Sequence, residues 1–413
     1  MLDLLLVLPR GGRGIGGSQW TAASGAVHWH EANLDMNPGH YRSFVAKVGG
    51  GERVGQVQRW RRPKVWFNPN VEIPMGGQAE GRKTIRGRLC KYGVTTLEDL
   101  ESDLTSWDDL YLAGRLHKPV EIFVPPSDPR TASADFADLS SLGKKIEFNR
   151  LCALTTALMT LPRFFSLSEL LREIVSLSYR GDVRLDFKME DPRKVERLVS
   201  GQILDLLSIY GGLLVPEVFS KPQPVLAVEK AQLPQGTSPS DSVALKEEET
   251  DGLTGLIASV KLQELPSGLS SEKMKEKVAA ALKTEGASKE REEVAGLLSD
   301  PHFVLTRPAV WNDVKERAFE DLPESLKYRA NALSAGSRFG NIFSPLSLLS
   351  EQRVERGMGP DVVKMPWNGE VLSESAKWLV RRSSSTQLLK GVLSSGVMTS
   401  ALYAARKAQK AVS

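Results

Sequence analysis

Residues 103–121, DLTSWDDLYLAGRLHKPVE, place a carboxylate, a tryptophan, a tyrosine, a glycine, an arginine and a lysine-proline step in one short block. The block grows out of a predicted helix over 96–112. Thr96 is its candidate cap, Asp99 follows three residues later, and Leu97, Leu100, Leu104, Trp107 and Leu110 recur at helical spacing. It runs on into PVEIFVP at 119–125, which reads as a strand. Two more polar-aromatic blocks lie upstream, WHEANLDMNPGHY at 29–41 and KYGV at 91–94. Core segments do not spend Trp, His, Asn, Tyr and Arg in this way. Such residues suit a site for a charged, planar or phosphorylated ligand.

The chain has 413 residues, 41% of them hydrophobic and 25% charged, which fits two or three soluble globular domains. A net charge of +4 gives no strong overall field, but the basic residues are clustered. Arg59, Arg61, Arg62 and Lys64 form one group, and Arg82, Lys83, Arg86, Arg88 and Lys91 another. From Ser375 to the end there is no Asp or Glu. Each cluster reads either as a solvated basic face or as a surface for phosphate, anionic lipid or nucleic acid. Cys90 and Cys152 lack CxxC spacing, which excludes a disulfide framework and a zinc ribbon and fits a reducing compartment. No apolar run approaches the roughly 20 residues that cross a bilayer.

MLDLLLVL at 1–8 reads as a buried strand carrying one carboxylate, Asp3, and PRGGRGIGGS at 9–18 as a loop. Residues 53–60 and 64–68 read as short strands, with a turn at Asn68-Pro69-Asn70; 75–81 is a glycine-rich loop, and 89–94 a further strand. Helices are expected over 147–161, 166–177 (capped by Ser166 with Glu169) and 191–210, with a turn or hairpin at SLSYRGDVRLDF. Three helices and a hairpin make a small module of winged-helix type. Residues 221–300 have linker-like, low-complexity composition, with a helix possible inside. Residues 387–412 can form a basic amphipathic helix, with Leu393, Val397, Ala401, Ala404 and Ala408 on one side, suited to a membrane surface or to the protein's own core.

Taken together, WHEANLDMNPGHY, KYGVTTLEDLESDLTSWDDLYLAGRLHKPV, LSYRGDVRLDFKMEDPRKVERLV and the terminal SSSTQLLKGVLSSGVMTSALYAARKAQK resemble the mitochondrial translocator assembly and maintenance family, which are mitochondrial phosphatidate cytidylyltransferases. The resemblance covers residues 1–213 and 376–410. It implies an α+β chain: an N-terminally truncated nucleotidyltransferase-like α/β domain at 1–145, a winged-helix-like domain at 146–220, the linker at 221–300 and a helical C-terminal region at 301–413. The implied reaction joins CTP and phosphatidic acid into CDP-diacylglycerol and pyrophosphate, on the matrix face of the mitochondrial inner membrane, for cardiolipin synthesis.

That chemistry needs carboxylates for Mg²⁺ and cationic side chains for phosphates. Asp3 matches the family's strand aspartate and is the expected metal ligand. Lys91 matches its strand-end lysine and is expected to neutralise CTP phosphates. Arg115 and Lys118 are expected to clamp pyrophosphate or the lipid phosphate, or to pair with Asp108 or Asp109. His30, Asn33, His40, Tyr41, Tyr92, Asp103, Tyr111 and Arg184 are candidate substrate contacts. An anionic membrane surface is an expected partner through the C-terminal region. Nucleic acid is not, because Arg193, Lys194 and Arg197 alternate with Glu196 and Asp205 and form no dense recognition helix. The family carries a Gly-Ser-Gly loop upstream of its strand aspartate, and this chain starts after that point. The expectation is therefore either an enzyme read from a shortened sequence or an impaired, membrane-associated scaffold of the same fold.

Overall fold

The computed structural model describes residues 2–8, 11–13, 19–21, 39–73, 88–122, 132–187, 189–216, 218–219, 251–266, 269–284, 288–307, 312–334 and 369–395. It is a mixed α+β structure, mostly helical with small sheets. The chain divides into two compact units, each assembled from separated segments.

The first unit comprises Met1–Asp103, Asp182–Pro192 and Arg381–Ser413. Its sheet has the order β1-β5-β4, where β1 is Leu2–Leu8, β4 is Trp66–Ile73 and β5 is Arg88–Thr96. β1 runs parallel to β5, and β4 antiparallel to it. The parallel pair requires a long crossover. That crossover contains helices α1 (Gly39–Val48) and α2 (Gly51–Trp60). Val45, Val54 and Trp66 form a core between them, with Phe44 and Val48 packed against it. A hairpin of β2 (Gly11–Arg13) and β3 (Gln19–Thr21) precedes the helices.

The second unit comprises Leu104–Gly181 and Arg193–Val380. Helix α3 (Leu97–Ser106) leads towards it, and α4 (Ala113–Leu116) follows. The 29-residue helix α5 (Ala132–Thr160) presents Ile146, Cys152, Ala153, Leu154, Ala157 and Leu158 to the interior. Strand β6 (Phe164–Ser166) opens into α6 (Leu167–Ser176) through a capping box: Ser166 Oγ accepts from Glu169 N at 3.2 Å, and Ser166 N donates to Glu169 Oε2 at 2.7 Å. Helices α8 (Lys194–Gly201) and α9 (Ile203–Leu214) follow the short α7 (Val183–Asp186), which belongs to the first unit. Beyond them come α10 (Asp251–Ala258), β7 (Lys261–Glu264), α11 (Ser271–Lys283), α12 (Lys289–Leu298), β8 (Val304–Thr306), α13 (Asn312–Glu320), α14 (Glu324–Ser334) and α15 (Gly369–Ser395). β6, β8 and β7 form a second three-stranded sheet in that order.

Several expectations are corrected. Residues 53–60 are helical: Gly51, Val54, Gly55 and Gln58 are buried at helical spacing, while Val57 and Trp60 are exposed to solvent. The Asn68-Pro69-Asn70 turn is a bulge within β4, where the register shifts between Asn68 and Val71. The helix from Thr96 stops at Ser106 and not at 112, because Trp107 and Leu110 take left-handed φ of 53° and 50°. Pro119 to Ile122 form no strand. The expected third helix is two, broken at Gln202, and SLSYRGDVRLDF holds a turn and α7 where a hairpin was one option. The linker-like stretch carries three helices and a strand from Asp251 onward. The 9–18 loop includes strand β2. The 75–81 loop lies outside the described residues.

Candidate active site

In the first unit the register of β1 against β5 sets Asp3 beside Lys91 and Leu4 beside Tyr92. Two residues some 90 positions apart in sequence thus become neighbours across one pair of strands. Lys91 Nζ sits 4.4 Å from the centre of the Phe67 ring on β4, a cation–π contact that fixes where its charge lies. Phe67 reaches this position because the residue opposite it is Gly93, where a Cβ would come within 2.5 Å of the ring. The glycine in KYGV therefore answers to packing across the strand pair. Tyr92 is buried, and its hydroxyl accepts from Asn68 Nδ2 at 2.9 Å.

His40 and Tyr41 lie on α1, whose Phe44 stacks on Trp66 at 5.7 Å. His30 and Asn33 lie outside the described residues. Asp103 is buried on α3. Arg184 is held by its neighbour: its Nε donates to Asp182 Oδ1 at 3.0 Å and Oδ2 at 3.1 Å, while the same carboxylate caps α7. Its guanidinium is thus engaged in the local turn.

In the second unit the part of the DLTSWDDLYLAGRLHKPVE block from Leu104 onward is organised around one residue of α5, Asn149. Asn149 Oδ1 accepts from Trp107 Nε1 at 2.8 Å and lies 3.1 Å from His117 Nε2, while its Nδ2 donates to the Ala113 carbonyl at 3.1 Å. Tyr210 donates its hydroxyl proton to the His117 carbonyl at 2.8 Å. Trp107, His117, Asn149 and Tyr210 are all fully enclosed. Left-handed backbone at non-glycine residues costs on the order of 1–3 kcal/mol each and persists where the surroundings over-determine it. Here the enclosed network does so. Because Asn149 Oδ1 can only accept, His117 carries its proton on Nε2. Burial, the Lys118 charge and the Arg150 charge push the His117 pKa down to about 3.

The network holds a cationic surface. Gly114 packs so closely on Ser178 that a Cβ there would lie 2.4 Å from the serine Cβ. Lys118 Nζ donates to the Gly114 carbonyl and to Ser178 Oγ, the latter at 2.9 Å. It sits 4.9 Å from the centre of the Tyr179 ring, and Lys194 sits 5.1 Å from the same ring. Arg115 lies 5.4 Å from the centre of the Tyr111 ring. Burial, then Arg115 and Lys194, lower the Lys118 pKa to about 7. Arg115 and Lys194 thus both lie within electrostatic reach of Lys118.

Asn149, Ser178 and Lys194 were not among the expected site residues. Asn149 had a legible signal, a polar residue three positions from Ile146 and four from Ala153 on an otherwise apolar helix face. Ser178 and Lys194 had none, because only the fold brings them to Lys118.

The first unit thus carries a strand aspartate in register with a lysine, and the second, separately, cations set beside aromatic rings. The chain belongs to the family described as phosphatidate cytidylyltransferase, mitochondrial, whose model matches residues 21–410. It is 35% identical over 216 residues to the mitochondrial phosphatidate cytidylyltransferase of Schizosaccharomyces pombe, covering 52% of this chain and 47% of that protein. It is 36% identical to the proteins of that name from Xenopus laevis, over 194 residues (47% and 50%), and Homo sapiens, over 199 residues (48% and 38%). The chain spans about half the length of the curated relatives it matches. The family match begins at Thr21, so Asp3 lies outside it; what sets it beside Lys91 is strand register.

Proposed function

We propose that this chain transfers the cytidylyl group of CTP to phosphatidic acid, releasing pyrophosphate and forming CDP-diacylglycerol for cardiolipin synthesis. The observation that carries the reading is the pairing of Asp3 with Lys91 across β1 and β5, in a chain of the phosphatidate cytidylyltransferase family. A phosphatidate oxygen attacks the α-phosphorus of CTP, the bond from that phosphorus to the bridging oxygen breaks, and pyrophosphate leaves with the electron pair. No protein nucleophile is needed, so the residues act by position and charge. Lys91, held against Phe67, faces the triphosphate. Within the second unit, Arg115 and Lys118, with Lys194, are by themselves the candidate holders of the lipid phosphate. In the first unit Tyr92, His40 and Tyr41 are candidate substrate contacts, with His30, Asn33, Asp103 and Arg184 as further candidates; in the second, separately, Tyr111 is one.

Among the described residues no three His, Cys, Asp or Glu side chains gather as a metal cage. Mg²⁺ does not require one: it binds through one or two carboxylates, water and substrate phosphates. A single strand aspartate fits that pattern, and Asp3 is the residue that would hold the ion. Bound there, Mg²⁺ would neutralise charge on the triphosphate. The sheet β1-β5-β4 with its crossover helices supports a nucleotidyltransferase-like domain, and α5, α6, α8 and α9 with β6-β8-β7 support a winged-helix-like one.

The names of the relatives support a mitochondrial setting. No described helix is long and apolar enough to cross a membrane. Leu389 and Leu393, exposed on α15, support peripheral contact with an anionic inner-membrane surface from the matrix side. The test is pyrophosphate release from CTP on phosphatidate-containing vesicles with and without Mg²⁺. Turnover that requires Mg²⁺ and is lost in Asp3→Asn and Lys91→Ala is expected. Vesicle binding without turnover would overturn the reading in favour of a scaffold of the same fold.

A further inference from the structure

We infer that Lys390, on the last helix, is a positioning residue for the nucleotide end of the site, acting through the 61–65 strap that feeds β4. The inference rests on the cytidylyltransferase reading and names a residue to which that reading gives no role. Lys390 is only 5% exposed. Its ammonium lies 2.8 Å from the Arg61 carbonyl, 2.6 Å from that of Pro63 and 3.4 Å from that of Val65. One turn earlier, Gln387 Nε2 donates to the Val65 carbonyl at 2.9 Å. An ammonium has three protons in a compact tetrahedral array, and here three carbonyls of one short strap converge on it. Lys390 also lies 5.8 Å from the centre of the Trp66 ring.

The strap leads directly into the residues that place the site. Trp66 stacks on Phe44 of α1, the helix that carries His40 and Tyr41. Phe67 lies against Lys91, and Asn68 donates to the Tyr92 hydroxyl. Gln58, on the helix before the strap, donates to the Val94 carbonyl at 2.9 Å, and Thr95 Oγ1 donates to the Lys64 carbonyl at 3.0 Å. The strap is therefore tied to β5 on one side and to Lys390 on the other. Every contact in this chain of support lies inside the first unit. Residues 387–391 (QLLKG) thus place Gln387 and Lys390 on the protein's own backbone, while Leu389 of the same turn faces solvent.

The test uses the full chain on phosphatidate-containing vesicles. Misplacement of a substrate-holding group by about 1 Å costs on the order of 10²-fold in rate. Lys390→Met is expected to lower kcat/KM for CTP by roughly that factor, to leave the KM for phosphatidate and vesicle co-sedimentation as in the unaltered chain, and to be partly rescued by Lys390→Arg. An unchanged kcat/KM for CTP overturns the inference, and so does an equal loss for both substrates accompanied by lost vesicle binding. Should Lys390→Met fail to fold, Gln387→Ala removes one bond to the same strap and must raise the KM for CTP; if it does not, the inference falls. If the unaltered chain turns over no CTP, the cytidylyltransferase reading is what has failed. The positional effect is then read by hydrogen exchange, which Lys390→Met must accelerate at the amides of Lys91 to Val94; unchanged exchange there overturns it.

Discussion

Lys118 is a cation placed beside two others, and the arrangement has a consequence in pH. Its charged form is disfavoured by burial, Arg115 and Lys194, so the amine loses its proton at about pH 7 in place of 10.5. An anion is gripped by the protonated form. A phosphate monoester completes its own second ionisation near pH 6 and works in the opposite direction below neutrality. The KM for phosphatidate is therefore expected to rise above pH 7, by up to about tenfold per pH unit, and Lys118→Gln is expected to abolish that rise. Initial rates between pH 6.5 and 9 measure it. His117 gives a stability effect of the opposite reach. Its folded value of about 3 lies below the ordinary 6.5, so the unfolded chain takes up the proton first. Stability is full above about pH 6.5 and drains as the pH falls towards 3, by on the order of 1 kcal/mol per unit. Urea titrations at pH 7, 5 and 4 test this, and His117→Gln is expected to flatten the trend. The Asp3 and Lys91 pair was legible at this scale only as two candidates. Their adjacency depends on strand register, which a one-residue slip would destroy.

At the scale of elements, local rules and tertiary demands part company at identifiable places. The Ser166–Glu169 capping box was readable because a cap is satisfied within four residues. Ser166→Ala is expected to cost about 1 kcal/mol, seen as a lower urea midpoint with no change in CTP turnover. The Thr96 cap was readable for the same reason, and Asp99 N does donate to Thr96 Oγ1 at 3.2 Å. The end of that helix was not, because Trp107 leaves helical geometry to reach Asn149, 42 positions away. Gly114 likewise has no local explanation: a side chain there meets Ser178, 64 positions on. Gly114→Val is expected to displace Lys118 from Ser178 and to raise the KM for phosphatidate, while CTP binding measured by equilibrium dialysis stays as it was. Strands β7 and β8 were missed because three- and four-residue strands pairing with β6 from far along the chain carry no period long enough to read.

At the scale of the whole molecule, each unit draws on distant parts of the chain. The first unit draws Arg381–Ser413 in with Met1–Asp103, and from that segment Gln387 and Lys390 meet the 61–65 strap. A chain ending at Val380 is expected to lose amide protection in β4 and β5 while α5, α6 and α9 keep theirs, a contrast that hydrogen exchange reads directly. By itself the sequence determined the polar-aromatic blocks, their kinship with a cytidylyltransferase family, the capped helix starts and the apolar strand that carries Asp3. Those rest on residue type and short spacing, which are written locally. The tertiary structure alone decided that Asp3 stands beside Lys91, that Asn149 organises the 103–121 block from Leu104 onward, that Lys194 joins Lys118 at Tyr179 and that Lys390 faces backbone carbonyls. Each of these joins residues tens to hundreds of positions apart, and only packing, register and burial of the assembled chain can bring such partners within hydrogen-bonding or charge-interaction range.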